Sequence, residues 1–283
     1  MPPLKPLNAD LHCHSTVSDG LLAPADLARR AHANGVELLA LTDHDELAGL
    51  PEARAESERL GLSFVNGVEV SVSWGDDQTV HIVGLGFDPR HEGLVTGLAR
   101  VRGGRDSRAM RMAAELDKVG IHGAYEGALK YAGNPALVSR SHFARYIVEL
   151  GHAKDAGAVF DSWLAKDKPG YVAHPWATLE EVLGWIRGAG GVAVIAHPGR
   201  YRISKAELHR MFAAFKELGG EGIEVLSGSS NLDEMREYAR AARKYGFLAS
   251  RGSDFHGPGE SWIDLGGLPD LPEDLESVWT RWV

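Results

Sequence analysis

Cysteine is nearly missing from this chain: Cys13 stands alone among 283 residues. A single thiol excludes an intramolecular disulfide framework and suits a reducing compartment. Long apolar runs are missing as well, none approaching the ~20 residues that a bilayer span requires. The start, Met1 to Pro6, lacks the charged-then-apolar plan of a secretory leader. A cytoplasmic protein without a membrane partner is therefore expected. Positive charge is not in excess either: 39 acidic side chains face 30 basic ones, for a net −9. That balance argues against a broad cationic face for duplex DNA, so an anionic substrate must be met locally. There are no internal repeats and no low-complexity tracts.

What is present is alternation. Apolar runs over 7–14, 36–42, 62–70 and 80–86 read as strands, with helices opened by Pro24 and Pro51 and closed near Gly35 and Leu60. From 92 to 168 no strand is expected; helices over 94–119, 124–132, 139–150 and 156–165 are. The alternation then resumes, with strands over 191–197, 222–226 and 247–254 separated by helices over 179–187, 205–218 and 232–245. Such a pattern predicts an α/β barrel, residues 1–98 and 169–283, interrupted by a helical insertion, residues 99–168.

The polar residues fall where a barrel builds its active site, at or just beyond the carboxyl ends of strands. His12 and His14 in Asp-Leu-His-Cys-His share one face of an extended chain, with Asp19 following, and Cys13 points the other way into the core. Thr-Asp-His44-Asp, Gly-Val-Glu69, His81, Ala-His197-Pro and Ser-Asp254-Phe-His256 complete the set. Imidazole and carboxylate without thiolate suit manganese, zinc or iron, manganese being the first choice. Asp43 is expected to orient a neighbouring ligand and Asp45 to cap the next helix.

In order and spacing these motifs resemble the polymerase and histidinol phosphatase (PHP) phosphoesterases, from about residue 8 to residue 256. The resemblance implies a distorted (β/α)7 TIM-like barrel and two or three divalent ions. It assigns His12, His14, Glu69 and Asp254 to one ion, Glu69, His81 and His197 to a second, and Asp19, His44 and His256 to a third. Many relatives have histidine where Asp19 stands, and a carboxylate there favours harder ions. The ions held by His12, His14, Glu69, His81, His197 and Asp254 would supply the hydroxide that attacks phosphorus, with His256 a candidate to protonate the leaving group.

Arg102-Gly-Gly-Arg105, Ser141-His-Phe-Ala-Arg145, Lys168-Pro-Gly-Tyr171 and His197-Pro-Gly-Arg-Tyr201 are similar to the branch that removes the 3' phosphate of nucleoside 3',5'-bisphosphates and also trims short 5'-phosphorylated RNA. On that resemblance Glu69, Arg102, Gly103, Gly104, Arg105, Asn134 and Arg200 are the expected substrate contacts, with the two glycines letting the backbone approach an anion. A plainer reading stands beside it: Arg102, Arg105, Arg108 and Arg111 recur at helical spacing and suit a solvated face. His142 and His174 read as a packed residue and a loop residue. Three competing functions remain at this point: a histidinol-phosphate or other small phosphatase, a metal-dependent amidohydrolase, and an accessory module with a vestigial metal site.

Overall fold

The structure is a computed structural model that describes residues 6–75 and 78–283. Residues 1–5, part of the start read above as no secretory leader, lie outside the described residues. Among the described residues eight strands are present: β1 (Ala9–Asp10), β2 (Leu38–Leu41), β3 (Ser63–Trp74), β4 (Gln78–Leu85), β5 (Ala177–Thr178), β6 (Val192–Ile195), β7 (Gly222–Ser227) and β8 (Leu248–Gly252). The helices are α1 (Pro24–Ala33), α2 (Leu50–Leu60), α3 (Glu92–Gly103), α4 (Arg105–Asp117), α5 (Ala124–Leu129), α6 (Arg140–Glu149), α7 (Ala156–Val159), α8 (Leu179–Gly188), α9 (Lys205–Glu217) and α10 (Leu232–Tyr245). Seven strands run β1-β2-β3-β4-β6-β7-β8 around a barrel, with β5 added outside against β3. Between the first and last strands Leu11 N donates to Arg251 O (3.1 Å) and Asp254 N to His12 O (2.7 Å), which brings the sheet nearly to closure.

Besides the unexpected β5, two features depart from the expected alternation. β3 and β4 form an antiparallel hairpin, pairing Ser71 with His81 and Glu69 with Val83, so β4 runs against its neighbours on both sides. Its first residues therefore sit at the end of the barrel where the parallel strands finish, and His81 reaches the site from the start of a strand. Second, the helix expected over 94–119 is broken at Gly103-Gly104 into α3 and α4. A Cβ on Gly104 would lie 2.3 Å from the His174 ring, so the residue is small because an imidazole packs on it; Gly103 has open space.

Three apolar clusters follow from this chain path. Leu11, Leu38, Val65, Leu85 and Val194 fill the barrel, closed by Val278, Trp279 and Trp282 of the C-terminal turn. A larger cluster joins the sheet to its helices and includes Cys13, Leu98 and Val101. The insertion has its own core of Met112, Leu116, Phe143, Ile147, Val159 and Leu164. Each fully buried aliphatic contributes about 1.5–3 kcal/mol. Among the described residues no helix is long and apolar enough to cross a membrane.

Candidate metal centre and substrate cavity

All nine expected ligands converge. Ligand atoms within 4.8 Å of one another group as His12, His14 and Asp254; His12, Glu69 and His197; His44, Glu69 and His81; and His14, Asp19, His44 and His256. Glu69 is central: Oε1 lies 2.8 Å from His197 Nε2 and 2.9 Å from His81 Nδ1, and Oε2 lies 2.9 Å from His44 Nδ1. Relative to the partition implied by resemblance, His44 faces both Glu69 and Asp19, and His14 adjoins the Asp19 group as well as Asp254. Three of the four non-glycine residues with positive φ among the described residues, Asp45 (53°), His197 (26°) and Asp254 (51°), lie here. Strained backbone of this kind persists where surroundings over-determine it, as at functional sites.

The donors fit cations. Buried Glu69 Oε2, Asp19 Oδ1 and His14 Nδ1 make no hydrogen bond, an arrangement that is costly unless a positive partner meets it. Burial alone would raise the Glu69 carboxyl, yet the His81, His44 and His12 imidazoles hold it well below its ordinary value. Burial, with help from His256, lowers His14 to about 3, and burial lowers His81 to about 4. His256 turns Nδ1 to Asp254 O (2.9 Å) and Nε2 toward Asp19 Oδ1 (3.4 Å). Its Nδ1 also lies 3.7 Å from Asp254 Oδ1, so both ring nitrogens face carboxylates of the cluster.

Partners outside the cluster orient it. Glu224 was not anticipated: Oε1 takes His12 Nδ1 at 2.6 Å and Oε2 accepts from His197 N at 2.6 Å, fixing two histidines of the cluster from β7. The only signal was an acid buried mid-strand in Gly-Ile-Glu-Val. Asp43 accepts from Ser15 N and from the Ser15 and Ser18 hydroxyls, shaping the loop that carries Asp19. Asp45 does not cap α2, whose N-cap is Gly49; it receives Ser71 N (2.8 Å) and the Arg105 guanidinium instead.

Above the cluster lies a cavity of about 380 Å³ lined by Asp19, His44, Glu69, His81, His197, Asp254 and His256, and also by Arg105, Arg108, Arg140, Arg200 and Tyr171. Arg105 and Arg108 lie over the Trp176 ring, 4.9 and 5.4 Å from its centroid. Burial and the charges of Arg140 and Arg105 bring Arg108 down to about 9, so it stays protonated at neutral pH. Arg200 is ion-paired with Asp254. Of the other expected contacts, Arg102 Nη1 donates to Asp45 O (2.6 Å), Asn134 Oδ1 accepts from Ala136 N (3.0 Å), and Gly103 faces open space; none of the three lines the cavity. The helical spacing of arginines thus splits: Arg105 and Arg108 are buried, while Arg111 is exposed. His142 is buried, as read from sequence.

A barrel carrying a buried imidazole-carboxylate cluster at its strand ends is the architecture of metal-dependent hydrolases. The chain belongs to the PHP domain family, whose model matches residues 10–225. It is 52% identical over 272 residues, 96% of this chain and 95% of the relative, to a 3',5'-nucleoside bisphosphate phosphatase of Chromobacterium violaceum. It is 39% identical, over 96% of this chain and 98% of the relative, to a 5'-3' exoribonuclease of Haemophilus influenzae. A solved structure of an amidohydrolase from C. violaceum, with bound sulfate and no metal, superposes with a TM-score of 0.93 at 51% identity, over 97% of this chain and 95% of that one.

Proposed function

We propose that this chain hydrolyses the 3' phosphate of nucleoside 3',5'-bisphosphates, giving the nucleoside 5'-monophosphate and phosphate. The observation that carries the reading is one cavity lined both by the ligand cluster and by three buried or half-buried arginines, Arg105, Arg108 and Arg140. Divalent ions, manganese for preference and zinc or iron as alternatives, would be held by His12, His14, Asp19, His44, Glu69, His81, His197, Asp254 and His256. When bound they supply Lewis acidity and a nucleophile drawn from water. The chain's own part is positioning: guanidinium groups present paired donors that match phosphate oxygens, so Arg105, Arg108 and Arg140 would hold the 5' phosphate while the 3' phosphate meets the cluster. Arg200, beside Asp254, would meet the phosphate being cleaved.

The insertion would act as a lid, beginning at the Gly103-Gly104 break rather than at 99, because Val101 packs with the barrel. Trimming of short 5'-phosphorylated RNA belongs to the same reading, since a 5'-terminal nucleotide presents the same pair of phosphates. The complete donor set argues against a vestigial accessory module. The buried arginines argue against a carbon-centred amide substrate and against histidinol phosphate, which has no second phosphate. Free, buried Cys13 fits a reducing, cytoplasmic setting.

The deciding experiment measures phosphate release from adenosine 3',5'-bisphosphate, AMP, histidinol phosphate and a 5'-phosphorylated RNA trinucleotide, each with manganese and with chelator. Chelator-sensitive turnover fastest on the bisphosphate is expected. Preference for histidinol phosphate would overturn the second-phosphate assignment, and no turnover with any metal would overturn the hydrolase reading.

A further inference from the structure

Asp19 enters the cluster on a loop, yet its carboxylate and its carbonyl are both held by the helical insertion. Ser139 Oγ donates to Asp19 Oδ2 (2.9 Å), and Arg145 Nη2 donates to Asp19 O (2.6 Å). The Ser139 hydroxyl is aimed by its own surroundings: its oxygen accepts from Ser141 N (3.1 Å), and Ser139 N donates to His142 Nδ1 (3.0 Å). Arg145 also grips Glu260 through Nε (2.8 Å) and Nη2 (2.7 Å). Glu260 lies on the turn after His256, where Ser261 Oγ accepts from His256 N (2.8 Å). Ser139, His142 and Arg145 are all buried. Helix α6 therefore braces both Asp19 and the segment bearing His256, and the next two residues of its first turn, Arg140 and Ser141, line the substrate cavity.

We propose that Ser139 and Arg145 are positioning residues for the Asp19 and His256 part of the cluster, and that the first turn of α6 couples anion binding in the cavity to cation affinity there. The inference rests on reading the cluster as a metal centre. An anion held by Arg140 restrains the turn that aims the Ser139 hydroxyl, and a carboxylate fixed in one orientation loses less freedom on taking a cation. By linkage the coupling is reciprocal: the anion tightens the cation and the cation tightens the anion by the same factor.

The test is calorimetric titration of the metal-free full chain with Mn2+, with bound metal counted, for wild type, Ser139→Ala, Ser139→Thr and Arg145→Lys, each with and without AMP as the anion probe. In wild type AMP should tighten the weakest Mn2+ site. Ser139→Ala should weaken that site about tenfold, the lower range for losing a residue that orients a ligand, and abolish the response to AMP. Ser139→Thr, which keeps the hydroxyl, should behave as wild type, and Arg145→Lys should lie between. Should Ser139→Ala lose its cooperative melt, Ser139→Cys carries the same comparison. A Ser139→Ala protein that titrates as wild type would overturn the inference alone. Wild type that takes up no Mn2+ would instead sink the metal reading beneath it.

Discussion

An imidazole ligates a cation only through a nitrogen that carries no proton, so protonation decides how readily each histidine here serves. His14 and His81 are neutral at physiological pH for want of solvation. His256 is the reverse case: burial works against its proton, but the Asp19 and Asp254 carboxylates push it up to about 9. A proton must therefore leave as a cation enters. Burial opposes the proton on His12 and His44 too, yet the carboxylates around them raise both, so apparent Mn2+ affinity should rise from pH 7 to about 9 by up to about tenfold per unit for each proton displaced, with proton release measured by titration in buffers of different ionisation enthalpy. Affinity independent of pH over that range would contradict the assignment. In metal-free protein the sign is opposite: a folded-state value raised above the ordinary 6.5 stabilises below that pH, and the contribution disappears as pH climbs to about 9. Glu224 makes a second expectation, because it holds both His12 Nδ1 and His197 N. Glu224→Gln keeps the shape and should cost about 10–100-fold in Mn2+ affinity or turnover, read by titration and initial rates; an unchanged affinity and rate would reduce Glu224 to packing. Most residues of the cluster were legible in the sequence because they are polar residues at or just beyond the end of an apolar run; His81, near the start of β4, is the exception. Glu224 was not, since one acid inside a strand reads as solvent-facing alternation, and Arg140 was not, since nothing local shows that it points into a cavity.

At the level of elements, the seven barrel strands were readable from alternation, while β5 (Ala177–Thr178) and the reversal of β4 were not. Hydrophobic period is the same for parallel and antiparallel strands, and only the short gap between the apolar runs 62–70 and 80–86, too short for a crossover helix, hinted at a hairpin. The break between α3 and α4 was hidden differently. Gly103 and Gly104 look interchangeable in sequence, and the resemblance gave both to anion contact, yet the two have unlike surroundings. A methyl group at 104 would strike the His174 ring, which in turn lies against Trp176, the platform for Arg105 and Arg108. Gly104→Ala should destabilise by about 1–3 kcal/mol, as overpacking does, and should raise KM for the bisphosphate by displacing those arginines. Gly103→Ala, ending α3 in open space, should be neutral or stabilise by up to about 1 kcal/mol. Thermal melts of the two variants decide the matter: equal shifts would mean that the break is set by glycine flexibility rather than by the imidazole packed on it.

On the scale of the whole molecule, net charge works against long polyanions. The chain carries −9 overall, and the cationic groups facing the cluster are gathered in a cavity of about 380 Å³, at the small end of ligand pockets. An extended RNA would gain little beyond its first nucleotides, because each phosphate leaving the cavity meets an acidic molecule. Single-stranded binding weakens with salt by a log-log slope of about −0.7 per phosphate neutralised. Two phosphates held in the cavity then predict a rise in KM of less than about tenfold between 50 and 200 mM salt, whereas a track of six would give several hundredfold. The comparison to make is kcat/KM for 5'-phosphorylated oligoribonucleotides of two to twelve residues at both salt concentrations. Values that level off by about three residues, with the shallow salt dependence of the bisphosphate itself, are expected. A steady gain with length, together with a steepening salt slope, would place a nucleic-acid track on the outer surface of the insertion and make RNA, rather than the mononucleotide, the substrate to which the molecule is built.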